Sequence, residues 1–296
     1  MNTATKLAAF AAVVAATFGG AMAVGAAVGP IDVGGSSDGH SSHGTGGSAA
    51  TEIPRGLAIA QAGYRLVTET VSLPPAAPTA FAFRIMADDG TTVTSFALLH
   101  ERALHLIVLS RNMVDELHLH PTMDASGRWT VDLPALTPGS YRIFADFQPT
   151  GAENLTLGTD LLVPGATETI ALPAPAATDT VDGYTVTLAG APVVGAVPLT
   201  FTVQLAGQAV HTDPYLGAAG HLIAIRAGDL AYLHVHPETG GDAAATDITF
   251  IGEFPSAGTY RLFLDFSHGG AVHTASFTVV VPDGAGGEPM TMQEGH

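Results

Sequence analysis

One seventeen-residue stretch occurs twice in this chain: HLIVLSRNMVDELHLHP starts at His105 and HLIAIRAGDLAYLHVHP at His221, aligned without a gap at an offset of 116. The likeness continues on both sides. Ala80-Phe81-Ala82-Phe83-Arg84-Ile85 corresponds to Pro198-Leu199-Thr200-Phe201-Thr202-Val203, and PGSYRIFADF at Pro138 to AGTYRLFLDF at Ala257, after a small insertion in the second copy. A duplication of this extent demands a module of about 110 to 120 residues that stands twice in tandem.

Within each copy, short runs rich in Val, Ile, Leu, Thr and Phe are punctuated by Gly, Pro, Asp and Asn every ten residues or so, and no stretch keeps a helical period. That is an all-β pattern. The element Pro255-Ser256-Ala257-Gly258-Thr259-Tyr260 resembles the loop and tyrosine that open a late strand of immunoglobulin-like sandwiches. The expected architecture is two tandem immunoglobulin-like β-sandwiches, over 55–172 and 173–283. They follow an N-terminal signal or anchor helix (1–29) and a Gly/Ser/His-rich linker (30–54), and precede a Met/His tail (284–296).

At 296 residues and 47% hydrophobic content the chain can bury real cores. Ten basic against 27 acidic residues give a formal charge of −17, and Lys6 is the sole lysine, so nothing could neutralise a phosphate backbone. Nucleic acid is excluded as a partner. With no cysteine, disulfides and thiolate metal sites are excluded too, and any metal must be held by His, Met or carboxylate. Leu7 to Gly29 carries no charge and reaches about 34 Å as a helix, enough to span a bilayer. Ala21-Met22-Ala23 offers a cleavage site within it, so the run reads either as a signal peptide or, with a slight preference, as a retained anchor. Both readings place the folded part outside the cytoplasm, with the N-terminal segment as the membrane contact.

The repeated motif carries the chemistry. With Ala227-Gly228 as a two-residue hairpin loop, His221 lies opposite His234 and shares a face with His236; with Arg111-Asn112 as the loop, His105 lies opposite His118 beside His120. Each copy thus predicts a triad of imidazoles about 4.5–7 Å apart, suited to zinc or copper(II) rather than calcium or magnesium. Asp265, Asp146 or water would be the fourth ligand. Pro121 and Pro237 would stop the ladder after the HxH and leave the cluster at a sheet end. Set against this, His234 shares its face with Ile223, Ile225, Leu230 and Tyr232 as a core histidine would, Glu116 interrupts the corresponding face of the first copy, and an ion pair with Arg261 would account for Asp265. His40 and His43 in the linker, and Met290, Met292 and His296 in the tail, favour copper over zinc. His268 and His273, around Gly269-Gly270, either supplement the site or face solvent.

At YLGAAGHLIAIRAGDLAYLHVHP and FPSAGTYRLFLDF the second copy resembles a group of actinobacterial secreted or membrane-anchored, heavy-metal-associated (YtkA-like) proteins, as the first does more weakly. The resemblance implies an extracytoplasmic immunoglobulin-like domain that handles copper or another heavy metal. The leading function is copper capture, buffering or delivery, with a membrane metal transporter or metallochaperone as partner and no catalysis. Gly228 followed by His234-x-His236 is also similar to the start of a cupin motif, although Glu238 comes too early and Arg261 takes the place of the later histidine. A cupin-like metalloenzyme is therefore one alternative, and an adhesion module with structural histidines the other.

Overall fold

The computed structural model describes residues 53–233, 235–237 and 246–283, with the backbone alone at 236 and 237. Among them the alternating runs form strands throughout. The first half contains β1 (Ala60–Gln61), β2 (Tyr64–Thr68), β3 (Thr79–Ala87), β4 (Phe96–Ala97), β5 (Leu104–Ser110), β6 (Glu116–Leu119), β7 (Thr122–Met123), β8 (Trp129–Leu133), β9 (Gly139–Pro149) and β10 (Leu155–Val163). The second contains β11 (Thr178–Val181), β12 (Tyr184–Ala189), β13 (Gly195–Leu205), β14 (Gln208–Ala209), β15 (His221–Arg226), β16 (Tyr232–Leu233), β17 (Val235–Pro237), β18 (Asp247–Phe254), β19 (Gly258–His268) and β20 (Ala271–Val281).

Each half is a pair of antiparallel sheets. The orders are β1-β2-β3-β8-β7 with β10-β9-β5-β6, and β11-β12-β13-β18-β17 with β16-β15-β19-β20. This is the immunoglobulin arrangement, an A-B-E-D layer on a G-F-C-C′ layer, and not a cupin jelly roll. The tyrosine read from the sequence makes its expected hydrogen bond in both halves: Tyr141 Oη donates to the Thr137 carbonyl (2.9 Å) and Tyr260 Oη to that of Ser256 (2.7 Å). Each sandwich encloses its own core, around Phe81, Phe83, Trp129 and Phe147 in the first and Phe201, Phe250, Phe266 and Phe277 in the second.

A third cluster decides where the site forms. Ile107, Leu109, Met113 and Phe144 pack with Ile223, Ile225, Leu230 and Phe263, so the two G-F-C-C′ sheets meet face to face. On β5, Leu104, Leu106 and Val108 point into their own sandwich while His105, Ile107 and Leu109 point at the other copy. Burial on both faces explains why the motif reads as a nearly unbroken apolar run. Each apolar side chain of this cluster contributes roughly 1.5–3 kcal/mol by leaving water. Arg261 fastens the join: it is buried, lies over the Phe263 ring, donates to the Met113 carbonyl (3.0 Å), and is not paired with Asp265. Ahead of β1, Gly56 threads between the halves at φ 74°, where a β-carbon would come within 2.5 Å of the Phe144 ring.

The hairpins differ from the sequence reading in one respect. Four residues, not two, separate the closing pairs, Ser110 with Asp115 and Arg226 with Ala231. Met113 (φ 59°) and Leu230 (φ 62°) adopt left-handed backbone there and turn their side chains into the shared cluster. Register moves by two residues as a result, and His118 pairs with Ile107 rather than His105 while Leu233 pairs with Ala224. Because the slip is even, the paired residues of β6 and β16 keep their faces.

Pro237 does not end the ladder either. After β16 the chain crosses to the other sheet, where Val235, His236 and Pro237 pair with Gly252, Ile251 and Phe250; β17 is an edge strand, where a missing N–H is tolerated. No helix among the described residues is long and apolar enough to cross a membrane. The expectations for 1–29, the linker up to residue 52 and the tail 284–296 lie outside the described residues.

Candidate metal centre

The histidine-bearing faces of the two copies are the faces that meet, so their imidazoles gather in one place. His105, on β5, is buried; His118, on β6, sits one pair further along; His120 follows β6, level with His105 by the same register. One ligand nitrogen from each lies within 4.8 Å of the others. The ring centroids are 5.1, 5.1 and 4.9 Å apart. Three imidazoles around one ion at 2.0–2.1 Å stand with nitrogens about 3.3 Å and centroids about 5 Å apart, so the cluster needs little rearrangement to close on a metal.

The outer hydrogen bonds orient the rings. Nε2 of His105 donates to the Leu99 carbonyl (2.9 Å), which leaves Nδ1 as the lone-pair nitrogen. Nδ1 of His118 donates to Asp265 Oδ2 (2.7 Å), and the other oxygen of that carboxylate accepts from Thr274 Oγ1 (2.6 Å). The inner nitrogens, His105 Nδ1 and His118 Nε2, then face each other at 2.9 Å. If both rings are neutral, two lone pairs collide, and only a proton or a metal ion between them relieves it. His120 Nε2 is buried beside them with no hydrogen-bond partner among the described residues.

Burial opposes protonation of His105 and His120. Burial, reinforced by the charge on His118, depresses His105 to about 4, and burial with His118 and His105 depresses His120 to about 3. His221 is brought down to about 4 by burial, with His100 the next contributor. Neutral imidazole is the metal-binding form. Glu116 is pushed well above the usual carboxylate range by burial and by Asp265.

The second copy is used differently. His221, the first residue of β15, is 7% exposed and joins the first copy's rings, with its centroid 6.1 Å from His105 and 6.2 Å from His118. His234 lies outside the described residues, and for His236 the backbone alone is described, in the opposite sheet. Asp265, expected as a fourth ligand for its own copy, serves instead as the outer partner of His118, the role a carboxylate commonly takes behind a metal-bound imidazole. Asp146 accepts from Asn154 Nδ2 (3.1 Å) and Thr156 Oγ1 (2.8 Å) and lines a cavity of about 50 Å³ beside His105 and His118. His268 alternates onto the face of β19 away from Asp265 and shares a hydrogen bond with Tyr184 Oη (2.8 Å), while His273 pairs with Asp182 (2.7 Å); neither supplements the cluster.

Sequence reasoning passed over His100. Its turn, Leu99–Arg102, supplies the carbonyl that fixes His105 and sets the His100 ring 4.8 Å from His221. Repeat alignment hides it, because the second copy has Leu216 at the equivalent position.

No curated protein matches the chain. Among solved structures it is similar to domains 4–9 of the surface layer protein SbsC (14% identity, 74% of this chain and 31% of that chain, TM-score 0.23). It is also similar to Yersinia pseudotuberculosis InvD (18% identity, 79% and 61%, TM-score 0.24) and to the Ig1-2 module of Drosophila DLAR (8% identity, 74% and 98%, TM-score 0.21). At scores this low the likeness says nothing of function. The family described as Domain of unknown function (DUF8832) matches the chain twice, over residues 60–159 and 179–283, one match in each sandwich, and the chain belongs to that family.

Proposed function

We propose that the chain binds a transition-metal ion, copper(II) ahead of zinc(II), through His105, His118 and His120, and serves in capture, buffering or delivery of that ion outside the cytoplasmic membrane. The observation that carries the reading is the opposed pair of inner nitrogens, 2.9 Å apart, each fixed in place by an outer hydrogen bond to a carbonyl or a carboxylate. A shared proton would satisfy those two nitrogens alone, whereas a metal ion also engages the buried Nε2 of His120, which has no hydrogen-bond partner among the described residues. Three neutral imidazoles suit both ions, and the order of intrinsic affinities puts copper(II) first. The uncharged N-terminal run supports the location, and a membrane metal transporter or metallochaperone is the partner such a role calls for.

The test is spectroscopic. One equivalent of copper(II) added to the full chain should give pulsed electron paramagnetic resonance signals from three imidazoles, reduced to two in His120→Ala. A spectrum showing one imidazole or none, or one unaffected by the substitution, would remove the reading.

A further inference from the structure

The rings of His221 and His100 are not members of the triad, yet both are set against it. Leu99 and Arg102 exchange backbone hydrogen bonds (2.8 and 3.0 Å), making a two-residue turn whose central residues, His100 and Glu101, both hold positive φ (47° and 63°). Such turns favour Asn and Gly at these positions. In the second copy the equivalent turn, Tyr215–Ala218, places Gly217 where the first has Glu101, and Gly217 lies against the Glu101 side chain across the junction. Leu216, at the position of His100, is left-handed as well (φ 52°), so the two turns share one backbone and differ in what they carry: an imidazole in the first copy and an apolar side chain in the second.

The strained turn holds the exposed His100 ring edge-on to the buried His221 ring, 4.8 Å between centroids. His221 Nε2 is buried with no hydrogen-bond partner among the described residues. Both rings line the cavity of about 50 Å³ that also touches His105, His118 and Asp146. A buried orphan nitrogen and a second imidazole beside it are two donors of the kind that zinc(II) and copper(II) accept, with water completing the set. Asp265 behind His118 and Asp146 in the cavity wall supply charge to offset two cations.

We propose that His100 and His221, one from each copy, hold a second metal ion on the solvent side of the triad. This rests on the triad itself being a metal site, and the test separates the two. The second position has fewer imidazoles and an exposed member, so it fills after the triad and exchanges faster.

Copper(II) is added to the full chain at one and then two equivalents, with electron paramagnetic resonance recorded at each step. The expected result is an ordinary isolated-ion spectrum at one equivalent, then dipolar broadening and a half-field signal at two. His221→Ala and, separately, His100→Gly should lose the half-field signal and keep the one-equivalent spectrum. His100→Gly also relieves the turn, so its fold is secure even if His221→Ala is poorly folded. A second equivalent that binds without dipolar broadening, as it would at His40, His43 or His296, overturns the proposal, and so does a half-field signal that survives both substitutions. If no copper is held tightly at the first equivalent, the triad reading falls and this one with it.

Discussion

The two copies share a motif, a hairpin with an apolar plug (Met113, Leu230), a tyrosine corner and a tight turn, yet they do different work. The first copy gathers His105, His118 and His120; the second lends Asp265 and His221 to that same cluster. A duplicated sheet packed against its own copy brings equivalent residues into one small volume, where they cannot all be ligands. Small differences then assign the roles. Asp146 and Asp265 each accept from a threonine on the neighbouring strand, Thr156 and Thr274. Asn154 also binds Asp146, while Val272, two residues before Thr274, offers no such bond, and Asp265 reaches His118.

The largest expected effect tests whether the copies share one interface. Phe144→Ala and Phe263→Ala should each cost about 3–5 kcal/mol in denaturant unfolding, because each empties the same cluster from opposite sides. A marked inequality would mean that the sheets do not meet as described. Next comes the division of labour. His118→Ala should weaken copper(II) binding by more than about 100-fold and Asp265→Asn by about 10- to 100-fold, the usual range for an outer partner, while Asp146→Asn changes first-ion affinity only a few-fold. Equal effects from the two aspartates would erase the distinction between the copies.

The pH dependence sharpens the comparison further. His105 and His221 are depressed from 6.5 to about 4 and His120 to about 3, all chiefly by burial. Between those values and 6.5 the unfolded chain binds protons that the folded chain refuses. Metal-free protein should therefore be most stable above pH 6.5 and lose stability as the pH falls towards 4, as urea midpoints at pH 7, 5 and 4 would show. His105→Gln should flatten that slope. The smallest effect concerns the paired turns: Glu101→Gly should gain up to about 1 kcal/mol by relieving positive φ, and Gly217→Ala should lose about that much.

Much of this was legible in the sequence. Period-two alternation gave the strands, the repeat gave the two sandwiches, and PxxGxY gave the corner, because each is a local pattern with a local cause. The shared face of His105, His118 and His120 was also readable, since a register slip of two leaves parity intact, whereas the crossing of the second copy's chain at β17, which carries His236 to the other sheet, was not. What the sequence did not disclose is that the faces meet. An apolar run such as LIVL looks the same whether its second face is covered by its own loops or by another copy, so two separate triads were expected where one composite cluster forms. Asp265 was assigned to its own copy for that reason, and the Arg261 pairing that competed with it is absent because Arg261 reaches across the junction to Met113. The four-residue loops were missed because Met113 and Leu230 occupy left-handed backbone that apolar residues seldom adopt.

Calorimetric titration of copper(II) into the full chain, side by side with the His105→Ala/His118→Ala variant, bears most directly on a metal centre between the copies. Sub-micromolar binding in the parent chain that vanishes in the variant is the expected result. Equal affinity in both would contradict it, assign the copper to the linker and tail, and leave the cluster as a packed histidine network.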